Sequence, residues 1–287
     1  MKGAASPAAS VRQGRRADAI VSYSLLVLSA LFALFPVAWM LSTSLKTEAE
    51  ALSLPVRWIP EHPTLAAYVE MWTLKPFGAY FWNSTVVSGV TALLSTVVGA
   101  LAGYGFSRFQ FRGRTSLLAF FLATQMISGV LVIGPYFQIL AAVELYNSLT
   151  GLIIAYVTIC LPFAAWMSKG YFDSIPKELD EAGLVDGASR LQIFLRIICP
   201  IALPGTVSTL LFAFLLAWQD LLWALCLISI DEKRTVTLGV AFLVGEFMIK
   251  WPMLTAASLI GSLPTIILYL FLQRFYVEGL ARGAVKG

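Results

Sequence analysis

The residues that carry chemistry concentrate in two places. The first is the segment 171–204, YFDSIPKELDEAGLVDGASRLQIFLRIICPIALP. Pro176 suits the first turn of a helix, with Asp173 or Ser174 before it, and Glu178, Asp180 and Glu181 add the negative charge that a helix N-terminus favours. Asp186-Gly187 is a turn dipeptide whose glycine permits positive φ. Ser189 with Gln192 three residues on is a capping box for a second helix. Leu191, Phe194, Leu195 and Ile198 give that helix an apolar stripe, and Pro200 and Pro204 close it. The pattern predicts a helix–turn–helix with Ala182, Gly183, Gly187 and Ala188 at the bend, small enough for another backbone to approach. Its chemistry is recognition rather than bond making. The residues alone leave two readings open: a docking knob for a cytoplasmic partner, or a re-entrant hairpin that braces two spans.

The second place is Trp218-Gln219-Asp220. Asp220 is the only acidic residue well inside an apolar run. A charge there costs at least about 2.5 kcal/mol on insertion scales, so it should face a bundle interior or a water-filled cavity. An aromatic face, an amide and a carboxylate suit the path of a hydroxyl-rich solute; they equally suit a structural hydrogen bond to a neighbouring helix. Trp223, Tyr136 and Gln125 are further candidates, better read as packing. No catalytic centre or metal site is visible. Cys160, Cys199 and Cys226 show no metal or disulfide spacing and read as buried hydrophobes. The single histidine, His62, argues against a histidine-based zinc site. No G-x-x-x-x-G-K-[ST] occurs, so any nucleotide energy must be bound by another chain.

The elements that position these residues follow from composition. The chain has 287 residues, 59% hydrophobic and 13% charged, with a mean hydropathy of +0.81. Soluble domains average about 25% charged. A soluble enzyme and a disordered chain are both excluded, and the expectation is an all-α integral membrane protein. Six stretches approach the roughly 20 apolar residues of a spanning helix, near 20–44, 84–107, 115–139, 149–170, 205–229 and 254–276. Pro36, Pro135, Pro162 and Pro264 inside them mark kinks. With the N-terminus inside, only Lys46, Arg57, Lys75, Lys233, Arg234 and Lys250 of the 20 basic residues lie outside. Both termini are therefore expected in the cytoplasm, and the net charge of +4 follows from topology without nucleic acid.

This divides the chain into a cytoplasmic arm (1–18, with Arg12, Arg15 and Arg16), an uncleaved first span with its outer loop (19–82), a core (83–277) containing the loop 173–204, and a cytoplasmic tail (278–287). Pro55, Pro60 and Pro63 break up the outer loop, where Trp58 and Trp72 suit interfacial seats and Phe77 to Trp82 suit a short interfacial helix. The second outer segment, 230–252, opens with the solvated turn Asp231-Glu232-Lys233-Arg234. Thr235 to Phe247 is then apolar but too short to span, so it must rest on the bilayer surface, on neighbouring helices or on an external partner.

Glu181-Ala182-Gly183, Asp186-Gly187-Ala188, Phe194, Ile197, Pro200 and Pro204 together resemble the EAA loop of ABC importer permeases, with Gly183 where that family usually has alanine. Gln273-Arg274-Phe275, Gly279-Leu280 and Gly283-Ala284-Val285-Lys286-Gly287 resemble the tail of MalG-like permeases of carbohydrate importers. Asn83-Ser84, Tyr104 to Arg108, and Trp218-Gln219-Asp220, with glutamine for asparagine, are similar too. The resemblance covers the chain from about residue 20 onward.

The resemblance implies one permease of a heterodimer, working with two ATPases and an extracytoplasmic solute-binding protein in a bacterial or archaeal inner membrane. Glu181, Ala182, Gly183, Asp186, Gly187 and Ala188 would dock on an ATPase, with Glu181 and Asp186 facing basic residues. Gly283, Ala284, Val285, Lys286 and Gly287 would reach between the ATPases, and 230–252 would enter the binding protein. No cofactor belongs to this chain; ATP and Mg lie on the partner. The implied cargo is a sugar or oligosaccharide, with glycerol phosphate or a polyol as the alternative. Gly183 should loosen the first hairpin helix by about 0.5–1 kcal/mol. An ion-driven secondary transporter would carry several intramembrane ionisable groups and repeat-related broken helices; here Asp220 stands essentially alone and no clear repeat is visible.

Overall fold

The computed structural model describes residues 7–245 and 249–284, with the side chains of 7–18, 272 and 274–284 excluded. In chain order the helices are α1 (Pro7–Ser44), α2 (Glu48–Ala51), α3 (Ala66–Thr73), α4 (Phe77–Arg108), α5 (Arg114–Thr124), α6 (Gly129–Ala142), α7 (Leu149–Asp173) and α8 (Glu178–Val185). There follow α9 (Arg190–Ile201, with wide turns over Phe194–Ile198), α10 (Leu203–Gln219), α11 (Leu222–Leu227), α12 (Val236–Ala241) and α13 (Trp251–Ala284). Residues 19–44 of α1, all of α4 and α7, and Trp251–Phe271 of α13 are each long and apolar enough to cross a membrane alone. Two pairs are sharply bent, α5 with α6 at 94° and α9 with α10 at 82°; the described residues thus hold four such helices, or up to six spans if each bent pair is one. The all-helical membrane class is the one expected.

Three boundaries differ from expectation. The third span is not one helix over 115–139: it breaks at 125–128, and Gln125 Nε2 donates to the Ile159 carbonyl at 2.9 Å. Gly129 lets α6 start against an indole, since a β-carbon there would lie 3.3 Å from Trp223 Nε1. The fifth span starts at Leu203 and breaks at Asp220. The interfacial helix expected at 77–82 is instead the first turns of α4, whose 32 residues rise about 48 Å against a hydrocarbon core of about 30 Å.

The chain divides into two compact units, one of 1–70 with 249–259 and one of 71–248 with 260–287. In the first, no residue in the apolar window of α1 is buried, which leaves its surface to lipid or to another subunit. Below that window Lys46 is buried: its ammonium donates to the Arg57 carbonyl at 2.5 Å and sits 4.5 Å above the Trp39 ring. Trp58 packs edge-on against Trp39, with centroids 4.9 Å apart, and stays largely exposed. Lys250 reaches Glu48 at 3.4 Å and Glu70 at 3.5 Å, and those carboxylates raise its pKa above the ordinary lysine value.

The second unit is built on the pairing of α4 with α7. Lipid tails solvate apolar side chains as well as another helix does, so spans associate through close packing of small residues. A β-carbon on Gly99 would lie 2.7 Å from Ala164 Cβ, and one on Gly103 would lie 2.7 Å from both Ser168 Cβ and the Lys169 backbone nitrogen. Ser84, Ser88, Thr91 and Ser95 are likewise small and buried along α4. Toward one end, Val87, Leu152, Tyr156, Trp223, Leu227 and Leu238 form an apolar cluster. Toward the end that the basic residues assign to the cytoplasm, Tyr104, Phe172, Ile175, Ile193, Phe194 and Ile198 form another.

Gly103→Val is expected to lower the melting temperature of the purified protein, because overpacking of this kind costs about 1–3 kcal/mol. Gly105→Ala, two residues away with nothing within 4 Å of the added carbon, should leave it unchanged or slightly raised.

Candidate functional site

The helix–turn–helix forms as its local sequence dictates. Gly187 adopts φ +80° and ends α8: its N–H bonds the Leu184 carbonyl at 3.1 Å, and the next N–H, of Ala188, reaches back to Gly183 at 2.9 Å. That is the paired closure favoured by a left-handed glycine. Ser189 and Gln192 make the reciprocal capping box, with Gln192 N–H to Ser189 Oγ at 3.3 Å and Ser189 N–H to Gln192 Oε1 at 2.8 Å. The structure splits the six residues expected at the docking surface. Glu181, Ala182, Asp186 and Gly187 are exposed, and Ala188 is half-buried. Gly183 is buried on the inner side, where a β-carbon would come 2.8 Å from Ile193 Cγ1 and 3.2 Å from Ile197 Cδ1. Its glycine therefore lets α8 and α9 close on each other, a packing role set against the expected loosening of α8. Val185, 88% exposed at the tip, was not singled out by the sequence; its signal is an apolar side chain off the helix's buried stripe.

Beneath the hairpin lies a polar cluster that sequence reasoning missed. Asp180 is turned inward rather than solvated at the helix start. Tyr104 Oη donates to its Oδ1 at 2.7 Å, and Arg108 Nε lies 2.8 Å from its Oδ2. The Arg108 terminal nitrogens donate to the carbonyls of Phe172 at 3.0 Å and Ile175 at 3.1 Å. Ser107 Oγ donates to Asp173 Oδ1 at 2.7 Å, and Lys169 pairs with the same carboxylate. The available clue was the placement of Tyr104 and Arg108 four residues apart, on one face at the end of an apolar span.

The second candidate is the break after α10. Trp218 is buried, stacked on Phe214 at 5.5 Å, and its indole N–H donates to the Gly261 carbonyl at 3.0 Å. Thr237 Oγ1 donates to the Trp218 carbonyl at 2.8 Å, satisfying a group that the break frees. Gln219 is exposed. Asp220 takes an extended conformation, and its Oδ1 accepts from the Trp223 backbone N–H and from Tyr156 Oη, both at 2.9 Å. The carboxylate thus caps α11 and bonds a neighbouring span, as one of the two sequence readings allowed. Trp223 packs edge-on against Tyr136 at 5.0 Å, which leaves both as packing residues.

The outer segment rests on neighbouring helices over its first half. Tyr80 Oη donates to Asp231 Oδ1 at 2.6 Å, Asn83 Nδ2 to the carbonyls of Glu232 and Arg234, and the Val236 N–H to Ser84 Oγ at 2.8 Å. Asn147, at φ +57°, accepts from the N–H groups of Ser229 and Ile230 on its side-chain oxygen and from Lys233 Nζ on its carbonyl. Phe242 and Val244 are exposed, and residues 246–248 lie outside the described residues. So do Val285, Lys286 and Gly287 of the expected tail contact; Gly283 and Ala284 are described only as backbone of α13. Among the described residues no cluster of His, Cys, Asp and Glu forms a metal site.

Asp220→Ala should cost about 0.5–2 kcal/mol through loss of the cap. Tyr156→Phe should cost about 0.5–1.5 kcal/mol. Thermal unfolding of the purified variants measures both, and stability equal to wild type in Asp220→Ala would remove its capping role.

Comparison with known proteins converges on one description. Residues 95–277 match the family model described as binding-protein-dependent transport system inner membrane component. The chain is 40% identical over 267 residues to the inner membrane ABC transporter permease protein YcjP of Escherichia coli strain K12, covering 92% of this chain and 95% of that one. It is 33% identical over 264 residues to the trehalose/maltose transport system permease protein MalG of Thermococcus litoralis, covering 91% and 94%. A solved bacterial ABC transporter involved in the import of the acidic polysaccharide alginate has a chain that superposes with a TM-score of 0.80. The likeness covers 96% of this chain and 100% of that one at 22% identity, and it speaks for the fold.

Proposed function

We propose a carbohydrate cargo and an ATPase-docking role for the α8 hairpin from one premise: this chain belongs to the family of binding-protein-dependent transport system inner membrane components. It is a multi-pass permease of the inner membrane and a non-catalytic subunit of an ABC importer. The cargo reading, a sugar or oligosaccharide, is supported by likeness along nine tenths of the chain to a trehalose/maltose permease.

The observation that carries the docking role is the outward face of the hairpin. Glu181, Ala182, Asp186 and Gly187 are exposed together, while the other side of α8 is held inside the protein. A carboxylate on a short helix and a second at its C-terminal cap suit a groove lined by arginine or lysine. Ala188 borders that face, and Gly183 serves it indirectly by fixing the angle between the two hairpin helices. The tail Gly283 to Gly287 is assigned a contact with the ATPase pair from the resemblance of its sequence, and exposed Phe242 and Val244 in the outer segment are assigned to the external binding protein. A second permease completes the translocation path. On this chain the residue of Trp218-Gln219-Asp220 that lies open for cargo is Gln219, presented by the break that its neighbours hold.

The working cycle follows from a two-state element biased by a ligand on another subunit. ATP closes the ATPase pair, the docked hairpins move with it, and the spans rock from inward-open to outward-open.

Reversing both charges with Glu181→Lys and Asp186→Lys should lower the ATPase recovered with the tagged permease by about tenfold or more, since like charges meeting at an interface cost several kcal/mol. Membrane yield of the permease should not change; equal ATPase recovery would end the docking reading. Uptake of labelled sugars by proteoliposomes holding the complete importer tests the cargo, and uptake confined to glycerol phosphate or a polyol would replace the carbohydrate reading.

A further inference from the structure

We propose that Arg108, Asp180 and Tyr104 form a latch that makes the docking hairpin move as one body with the ends of α4 and α7. The inference rests on the docking role given to α8, and it assigns positioning rather than contact roles to the three residues.

Three acidic residues occupy the first turn of α8, and only Asp180 is turned inward, its side chain 5% exposed. A buried carboxylate is tolerated only where charge and hydrogen bonds compensate it. Tyr104 Oη supplies the hydrogen bond at 2.7 Å, and the Arg108 guanidinium, itself 3% exposed, supplies the charge at 2.8 Å. Arg108 Nε and Asp180 Oδ2 are not aligned as a hydrogen bond, so attraction between opposite charges holds this contact. Exclusion of water strengthens it.

The same guanidinium also ties down a third element. Its other nitrogens donate to the carbonyls of Phe172 and Ile175, at the end of α7 and just beyond. Carbonyls at a helix C-terminus lose their i+4 partners; that of Phe172 accepts the Ile175 N–H at 3.1 Å as well as the guanidinium. One side chain at the last residue of α4 thus joins α4, the end of α7 and α8. Gly183 ties α8 only to α9, which belongs to the same hairpin. Among the described residues, the side-chain polar ties from α8 to the spans are the two made by Asp180. A force applied at Glu181 therefore enters α4 one residue away. Without the latch, α8 and α9 pivot on their apolar contacts, and part of the stroke is lost before it reaches the spans.

Asp180→Asn leaves the shape and removes the charge; Tyr104→Phe removes one hydroxyl and serves where the first variant folds poorly. In the complete importer, the ATPase recovered with the tagged permease should stay at the wild-type level in both. Cargo imported per ATP hydrolysed should fall about fivefold in Asp180→Asn and about twofold in Tyr104→Phe, within the range by which residues along a coupling network act. Asp180→Glu should restore part of the ratio. An unchanged ratio in both Asp180→Asn and Tyr104→Phe would overturn the latch. A wild-type permease that recovers no ATPase would defeat the docking reading instead. Hydrogen exchange on the permease alone then decides about the latch: faster exchange at amides 178–185 in Asp180→Asn supports it, and unchanged exchange overturns it.

Discussion

The distance between α4 and α7 is the constraint on which the second unit depends, and two glycines set it. Gly99 and Gly103 bring the backbones so close that a β-carbon at either would sit 2.7 Å from its neighbour. In a bilayer such contact replaces the hydrophobic drive that water would supply. Both ends of α4 then lie where their polar groups can reach. At one end Arg108 finds two carbonyls of the Phe172–Ile175 turn. At the other, Tyr80, Asn83 and Ser84 hold the start of the outer segment. A wider α4–α7 spacing would draw the Phe172 and Ile175 carbonyls away from the Arg108 guanidinium.

The two broken spans obey a related rule. Irregular backbone at membrane depth survives only where its freed groups are satisfied inside the protein. After α10, Asp220 takes the Trp223 N–H and Thr237 takes the Trp218 carbonyl. At the other break, the Gln125 amide bonds α7. Polar residues that looked anomalous inside apolar runs are therefore those that make the breaks possible. Gln219 is left over from this accounting, which is why the cargo-path reading narrows to it.

What was legible in the sequence was local. The capping box of Ser189 and Gln192, the left-handed Gly187 and the ends of the hairpin helices follow from residue chemistry within a few positions. What was hidden depended on neighbours in space. Window-averaged hydropathy cannot see the 94° bend between α5 and α6, because Gln125 and Ser128 in the break are two polar residues within a run that stays apolar overall, and only the Ile159 carbonyl shows what Gln125 is for. Propensity alone assigns Gly183 a cost, and only the position of Ile193 reveals its use. Asp180 satisfies the rule for negative charge at a helix start, and that sufficient local explanation concealed the arginine waiting for it.

Asn147, half-buried between α6 and α7, illustrates how narrowly one loop position can be specified. Its backbone sits in the left-handed region, its side-chain oxygen receives two N–H groups, and its carbonyl receives a lysine. Glycine could take the backbone shape but has no oxygen to offer. Serine and threonine have an oxygen but resist the shape. Aspartate alone meets both requirements, and it would add a negative charge beside Lys233. In a saturation scan of this chain, a position that hydropathy and burial would both pass over should tolerate as few replacements as the tightest site of the helix seam.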